Sequence, residues 1–458
     1  MSKAKNIFVC QECGAESPKW IGRCPACNSW NSYVEEIKIT GKASVHRASG
    51  ERSTNRKPLP FDAVETEAYS RLNTGLAEFD RMLGGGLVPG SFTLMGGEPG
   101  IGKSTLALQL ALVLQEKILY VSGEESSAQI KMRADRLGGK NPQCLVYNET
   151  NLDDILLHFQ REKPSLLIID SIQTIYTPLI ESAPGSVSQV RECAARLLQV
   201  AKDSEAPILI IGHITKDGSL AGPKVLEHIV DTVVQFEGDM QLNYRILRTL
   251  KNRFGAVPEL AIFEMKQNGL EQVLNPSAYF LNQSHVEFSG VAITCTLEGY
   301  RPLLIETQAL VSTAVYGTPQ RSATGFDLRR MNMLLAVLEK KGKLNLSNKD
   351  VFLNIAGGLK LQDPAADLAI LAAIFSSITD QSISPKLCCC AEISLTGELR
   401  PVVRIEQRIA EAQKLGFKQM LISSYHRNLE NNAIEIIKAS SLQQAMKAIF
   451  HQKAESSD

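Results

Sequence analysis

Short apolar runs alternate with helix-length stretches through the middle of the chain, and from about Tyr69 that alternation predicts a parallel sheet covered by helices. Residues 92–95 form a β-type run that leads into a glycine-rich turn. Residues 105–114 follow it and are apolar enough all round to be a buried helix. Further strands are expected over 117–122, 165–170, 206–212 and 244–249, the second ending on an acid. Beyond Gly269 the pattern becomes mixed α+β, and Cys388, Cys389 and Cys390 read as part of a buried strand. The division this suggests is a small module over 1–36, a linker over 37–60, an α/β core over 61–269 and an α+β domain over 270–458.

Composition narrows the classes. At 458 residues the chain exceeds one ordinary core, which favours several domains. With 44% hydrophobic and 21% charged residues it is an ordinary globular composition. No apolar run approaches the roughly 20 residues of a membrane helix, and the first residues lack a secretory signal's apolar stretch. A cytoplasmic protein with no membrane partner is expected. Lys+Arg and Asp+Glu balance at 49 each, so any nucleic-acid surface must be local. The linker is one such stretch, with six Lys/Arg against the single acid Glu51. It reads either as a solvated tether or as a segment that tracks a phosphate backbone.

The turn after 92–95 carries the chemistry. Gly97, Glu98, Pro99, Gly100, Ile101, Gly102, Lys103 and Ser104, followed by Thr105, fit GxxxxGK[ST] at every fixed position, between an expected strand and an expected helix. Glycines let backbone N–H groups curl round a phosphate, and the helix N-terminus adds positive partial charge. Lys103 would reach the outer phosphates and Ser104 would offer its hydroxyl to Mg²⁺. Asp170, ending an apolar strand, can hold the same ion. In open α/β sheets the ligand lies beyond the carboxyl ends of the strands, so these tips should converge. Glu124, at the tip of 117–122, suits the orientation and deprotonation of water. Glu125 competes for that role or caps the helix start at Ser126. His213, delivered to the same edge, is a candidate γ-phosphate sensor that would report to the loop over 216–224.

Ten cysteines are divided unevenly. Cys10, Cys13, Cys24 and Cys27 form two CxxC pairs ten residues apart, the spacing of a structural Zn²⁺ site with four thiolates and no open position. In so short a segment the metal largely replaces a core. Trp20 and Trp30 flank the second pair. Packing around the metal is the ordinary use of such residues, and base stacking or a protein contact is the alternative.

The run RLNTGLAEFDRMLGGGLVPG over 71–90, leading into the P-loop, resembles the RecA/KaiC/DnaB type of ATPase core. VSGEES over 121–126, GHITKDG over 212–218 and KNRFG over 251–255 closely resemble the bacterial RadA (Sms) DNA repair family, across nearly the whole chain. The resemblance implies an ATP-driven motor that forms a hexameric ring on single-stranded or branched DNA and works with the RecA recombinase. It also places Lys251 and Arg253 where related rings send cationic fingers into the neighbouring subunit's site. By their chemistry alone, two cations flanking Asn252 could neutralise charge on leaving phosphates. A solvated basic turn is the commoner use of such a sequence, and only the resemblance lifts the functional reading above it.

Residues 290–450 resemble the proteolytic domain of Lon, through NIAGG at 354–358, DPAAD at 363–367 and EISLTG at 392–397. Such proteases use a Ser–Lys dyad. Here Ala365 takes the serine's place and the lysine region reads RIEQR over 404–408, so a fold without the activity is expected. Arg321, Arg329, Arg330, Lys340, Lys341 and Lys343 make this domain locally basic, as a DNA-facing surface or an exposed helix face. Two other readings remain: an ATP-dependent Lon-type peptidase and a KaiC-like signalling ATPase.

Overall fold

The computed structural model describes residues 3–40, 70–213, 225–237, 244–257, 259–281, 288–314, 318–427, 429 and 433–450. The chain divides into two compact units, Met1–Val273 and Leu274–Asp458.

The first unit begins with a three-stranded antiparallel sheet, β1 (Lys3–Cys10), β2 (Glu16–Ser17) and β3 (Tyr33–Thr40), in the order β2-β1-β3. Two turns of the same kind hang from it. Gly14 N–H donates to Cys10 O and Asn28 N–H donates to Cys24 O, each at 2.8 Å. Both turns need a left-handed residue, and Gly14 and Asn28 supply it at φ 70° and 63°. Of the basic linker expected over 37–60, residues 37–40 continue β3; the rest lies outside the described residues.

The α/β core has helices α1 (Ala77–Leu83), α2 (Lys103–Val113), α3 (Ser127–Leu137), α4 (Leu152–Glu162), α5 (Val187–Ser204) and α6 (Val225–Ile229). Its strands are β4 (Phe92–Gly97), β5 (Ile118–Ser122), β6 (Cys144–Asn148), β7 (Leu166–Asp170), β8 (Ile208–His213), β9 (Thr232–Glu237), β10 (Tyr244–Asn252), β11 (Leu260–Lys266) and β12 (Gly269–Gln272). They form one sheet in the order β12-β11-β10-β9-β4-β8-β7-β5-β6. From β9 to β6 neighbours run parallel. The expected parallel sheet is therefore extended by three antiparallel strands, β10 to β12. The links between β9 and β12 are too short for a crossover helix, and short links return the chain antiparallel. β4, β5 and β7 are buried at every position, as strands covered on both faces must be. One apolar cluster, with Phe79, Leu106 and Leu110, fills one face, and another, with Ile155, Cys193 and Leu197, fills the other.

The second unit begins with α7 (Ser277–Phe280) and has a seven-stranded mixed sheet. Its strands are β13 (Val291–Glu298), β14 (Arg301–Thr313), β15 (Arg321–Thr324), β16 (Lys349–Ile355), β17 (Leu387–Cys390), β20 (Gln419–Ser423) and β21 (Glu435–Ala439), with a small pair, β18 (Glu392–Ile393) and β19 (Leu399–Arg400), beside it. α8 (Leu328–Gly342), α9 (Asp367–Thr379), α10 (Ile405–Lys414) and α11 (Leu442–Phe450) complete it. β17, with its three cysteines, is buried throughout. Lys340 and Lys341 are exposed in the last turn of α8, and Lys343 follows as its left-handed cap. Arg321 and Arg329 are exposed too, whereas Arg330 is held by two hydrogen bonds, at 2.8 and 2.6 Å, to the buried Asp367. No helix among the described residues is long and apolar enough to cross a membrane.

Candidate active site

β4 ends at Gly97 and α2 starts at Lys103, so the intervening loop lies beyond the carboxyl end of the sheet's central parallel strands. The loop turns through Gly100 and Gly102, at φ 77° and 121°. Those angles are costly for residues with a Cβ. Glu98, Pro99 and Gly100 are exposed, Ile101 packs inward, and Thr105 is half-buried in the first turn of α2. Lys103 is 4% exposed, and its ammonium donates to Gly97 O at 2.7 Å and Glu98 O at 2.8 Å. Burial pulls its pKa down to about 8, against the opposing pull of Asp170, Glu124 and Glu98. Lys103 is therefore a cation poorly compensated by its surroundings, which favours an incoming anion.

Asp170 closes β7 within reach of the loop. Its Oδ1 accepts from Ser104 Oγ at 3.1 Å and its Oδ2 from Tyr120 OH at 2.8 Å. Burial raises the Asp170 pKa while both hydroxyls lower it. A carboxylate oriented beside a serine hydroxyl at a helix N-terminus is the donor set of a hard divalent cation, and the geometry fits Mg²⁺. Tyr120 was not foreseen. Its only signal was a hydroxyl inside the apolar run of β5, and its partner lies one strand away.

Glu124 is exposed, and its Oε1 accepts from Ser171 Oγ at 2.5 Å, which brings it beside Asp170. A Cβ on Gly123 would sit 2.1 Å from Thr174 Oγ1, so only glycine lets β5 turn here and carry Glu124 to the edge. Glu125 is ion-paired to Arg133 of α3. It does not cap that helix: Ser126 does, in a reciprocal box with Gln129. His213 ends β8 beside Gly97 in register, so its backbone reaches this edge. Its side chain and the loop over 216–224 lie outside the described residues.

Lys251 and Arg253 are not brought to Lys103. β10 runs antiparallel to β9 with Asn252 opposite Thr232, and Thr232 pairs with Thr93. The motif thus lies level with the start of β4, with Asn252 four residues or roughly 13 Å from Gly97 at ~3.3 Å per residue. Lys251 Nζ donates to Glu227 O and Val230 O, both at 2.7 Å, and so closes the end of α6. Arg253 Nη1 lies 3.3 Å from Asp231 Oδ1, with the Arg253 side chain 57% exposed. Two sequence motifs meet here. Arg71 Nη2 donates to Phe254 O at 2.7 Å, and Asn252 Nδ2 donates to Leu83 O at 3.2 Å.

Cys10, Cys13, Cys24 and Cys27 place their sulfurs all within 4.8 Å of one another, with Cys10–Cys27 at 3.7 Å and Cys13–Cys24 at 3.5 Å. A tetrahedron of Zn–S bonds of ~2.3 Å has sulfurs about 3.8 Å apart, so the four thiols fit that metal. Burial opposes ionisation of Cys24, but the Tyr33 hydroxyl, the amides of Cys27 and Ala26 and the Cys13 thiol bring its pKa down to about 6. Trp20 and Trp30 do not pack around this centre: they are 52% and 70% exposed, and Arg23 lies over the Trp30 ring. Cys10, Cys24 and Tyr33 are buried there, and Phe8, Ala15 and Ile21 pack against them in place of the tryptophans.

In the second unit Ala365 is fully buried. Asp363 Oδ1 accepts from Ala365 N at 3.0 Å, and its Oδ2 lies 2.7 Å from Arg408 Nη1. Arg408 is itself fully buried and also donates to Val403 O and Cys295 O.

Three family profiles match the chain: a rubredoxin metal binding domain over residues 8–35, an AAA domain over 56–219, and subunit ChlI of Mg-chelatase over 307–426. A DNA repair protein RadA from Bacillus subtilis (strain 168) is 50% identical over 455 residues, covering 98% of this chain and 99% of that protein. Another of that name, from Synechocystis sp., is 46% identical over 95% of this chain and 92% of its own length. Among solved structures, the RadB recombinase aligns with 44% of this chain and 99% of its own at 23% identity and a TM-score of 0.36. A KaiC-like protein from Pyrococcus horikoshii OT3 aligns with 44% of this chain and 98% of its own at 20% identity and a TM-score of 0.37.

Proposed function

The chain belongs to the DNA repair protein RadA family, and on that premise we propose that it is a DNA-dependent ATP hydrolase of recombinational repair. It would act in the cytoplasm as a closed ring of copies of itself, and would process branched intermediates alongside the RecA recombinase. One observation carries the ring. Lys103, Ser104, Asp170 and Glu124 gather at one edge of the sheet, whereas Lys251 and Arg253 sit at the opposite edge. A chain with the two parts of a phosphoryl-transfer site on opposite edges completes its site only with the edge of a second copy. Such head-to-tail contacts close into rings or run on as filaments.

Within that reading the amides of Gly97 to Thr105 and the Lys103 ammonium hold the β- and γ-phosphates. Ser104 and Asp170 would hold Mg²⁺, which would supply positive charge against the phosphates. Tyr120 fixes the orientation of Asp170. Glu124, steadied by Ser171, orients the attacking water and takes its proton, leaving Glu125 to its pairing with Arg133. Arg253 of a neighbouring copy stabilises charge on the transferring phosphoryl group. The four cysteines hold a structural Zn²⁺. The second unit acts as a scaffold and not as a peptidase, because Ala365 has no nucleophile and Asp363 is already matched by Arg408.

ATP turnover by the whole chain, measured alone, with single-stranded DNA, with branched DNA and with RecA recombinase, tests this. Stimulation by DNA is expected. Turnover indifferent to every nucleic acid would contradict it in favour of a signalling ATPase, and casein degradation would contradict the scaffold role.

A further inference from the structure

Asp231 stands on the same edge of the sheet as Lys251 and Arg253, beside the start of β4, and belongs to neither motif. Its side chain is 3% exposed, at the head of β9. Its Oδ2 accepts from Phe92 N at 3.1 Å and from Lys202 Nζ at 2.7 Å, and its Oδ1 faces Arg253 Nη1 at 3.3 Å. Its backbone repeats both links: Asp231 N donates to Phe92 O at 2.8 Å, and Arg253 N donates to Asp231 O at 3.2 Å. A buried carboxylate is costly unless paired and hydrogen-bonded, and this one has three partners from three separate segments.

We propose that Asp231 is the positioning residue for Arg253, anchoring it to the first residue of the P-loop strand and presenting it outward to a neighbouring copy; this rests on the reading of Arg253 as a finger that acts across subunits. Three features support it. Asp231 engages one donor of a guanidinium that has five, so the others stay available to a phosphate. Lys202 shares the carboxylate, so the charge of Arg253 is not cancelled, and Lys251 nearby keeps the local balance positive. The anchor is also rigid, because Phe92 opens a fully buried strand. A guanidinium on an exposed turn would otherwise sample many rotamers, and a misplacement of about 1 Å can cost ~10²-fold in rate.

The test uses the full chain with Asp231→Asn, which keeps the shape and removes the charge. Turnover should fall about 10²-fold, while binding of a non-hydrolysable ATP analogue stays near wild type. Mixing with Lys103→Ala subunits should then restore part of the activity, because an intact P-loop in the Asp231→Asn copy meets a well-held Arg253 in the other. Arg253→Ala mixed with Lys103→Ala is the reference. If the reference mixture recovers but the Asp231→Asn mixture does not, or if Asp231→Asn loses analogue binding or keeps full turnover, the positioning role is overturned while the finger stands. If the reference mixture itself stays inactive although the subunits co-assemble, the finger reading fails and this proposal falls with it. Should Asp231→Asn not fold, Asp231→Glu, which keeps the charge but displaces it, goes through the same mixtures with the same criteria.

Discussion

Lys103 and Arg408 are both buried cations, and their surroundings leave them in opposite electrostatic situations. Lys103 is bonded to two backbone carbonyls, and burial leaves it with a pKa of about 8. Burial also works against Arg408, but Cys390 and Asp363 outweigh it and hold its pKa above the ordinary value. Carbonyls can give up a lysine to a phosphate that offers full negative charge. The Asp363 carboxylate 2.7 Å away already supplies the arginine with its counter-charge. Burial of a charge therefore says little about activity by itself. What separates the two places is whether the compensating charge is built in or left for a ligand to bring.

The largest effect expected from this contrast is at Lys103. Lys103→Ala should lower ATP turnover by roughly 10³-fold or more, the scale on which a preorganised charge acts in phosphoryl transfer, and should leave the melting temperature and zinc content unchanged. Turnover near wild type would remove Lys103 from the chemistry. Next comes the pair of glutamates. Glu124→Gln should cost about 10²-fold in kcat as a lost general base, whereas Glu125→Gln should change it by less than about 3-fold, since Glu125 is engaged by Arg133. The reverse order would exchange their roles.

Much of this was legible in the sequence because it is local. The P-loop, both CxxC pairs, and the strands ending at Ser122 and Asp170 depend on residues close together in the chain, and their bounds came within two residues. What sequence alone could not supply was pairing across strands. Tyr120 with Asp170, Ser171 with Glu124, and Asp231 with Arg253 each join segments separated by about 20 residues or more. The expected basic turn after 244–249 is partly strand, since β10 continues through Lys251 and Asn252 past a register shift after Thr249. Two tryptophans beside a metal knuckle suggested packing, but so small a module has no interior to take them.

At the other pole of the contrast, Arg408→Met should leave ATP turnover unchanged and create no peptide cleavage. It should destabilise the second unit by about 3 kcal/mol, because the Asp363 carboxylate, only 13% exposed, would lose its counter-charge. A thermal melt that resolves the two units checks this. An unaltered melt would mean that Asp363 is not held by Arg408 in solution.

The central claim is that one copy's Lys103 edge works with another copy's Arg253. It is tested most directly by mixing two inactive variants, Lys103→Ala and Arg253→Ala, and measuring ATP turnover against their ratio. Some interfaces in the mixture join an intact P-loop to an intact Arg253. A cation acting in trans is worth about 10³-fold or more, so turnover should rise from near zero and peak at intermediate ratios. Turnover that stays at the level of the separate variants at every ratio, in assemblies shown to contain both, would contradict the claim.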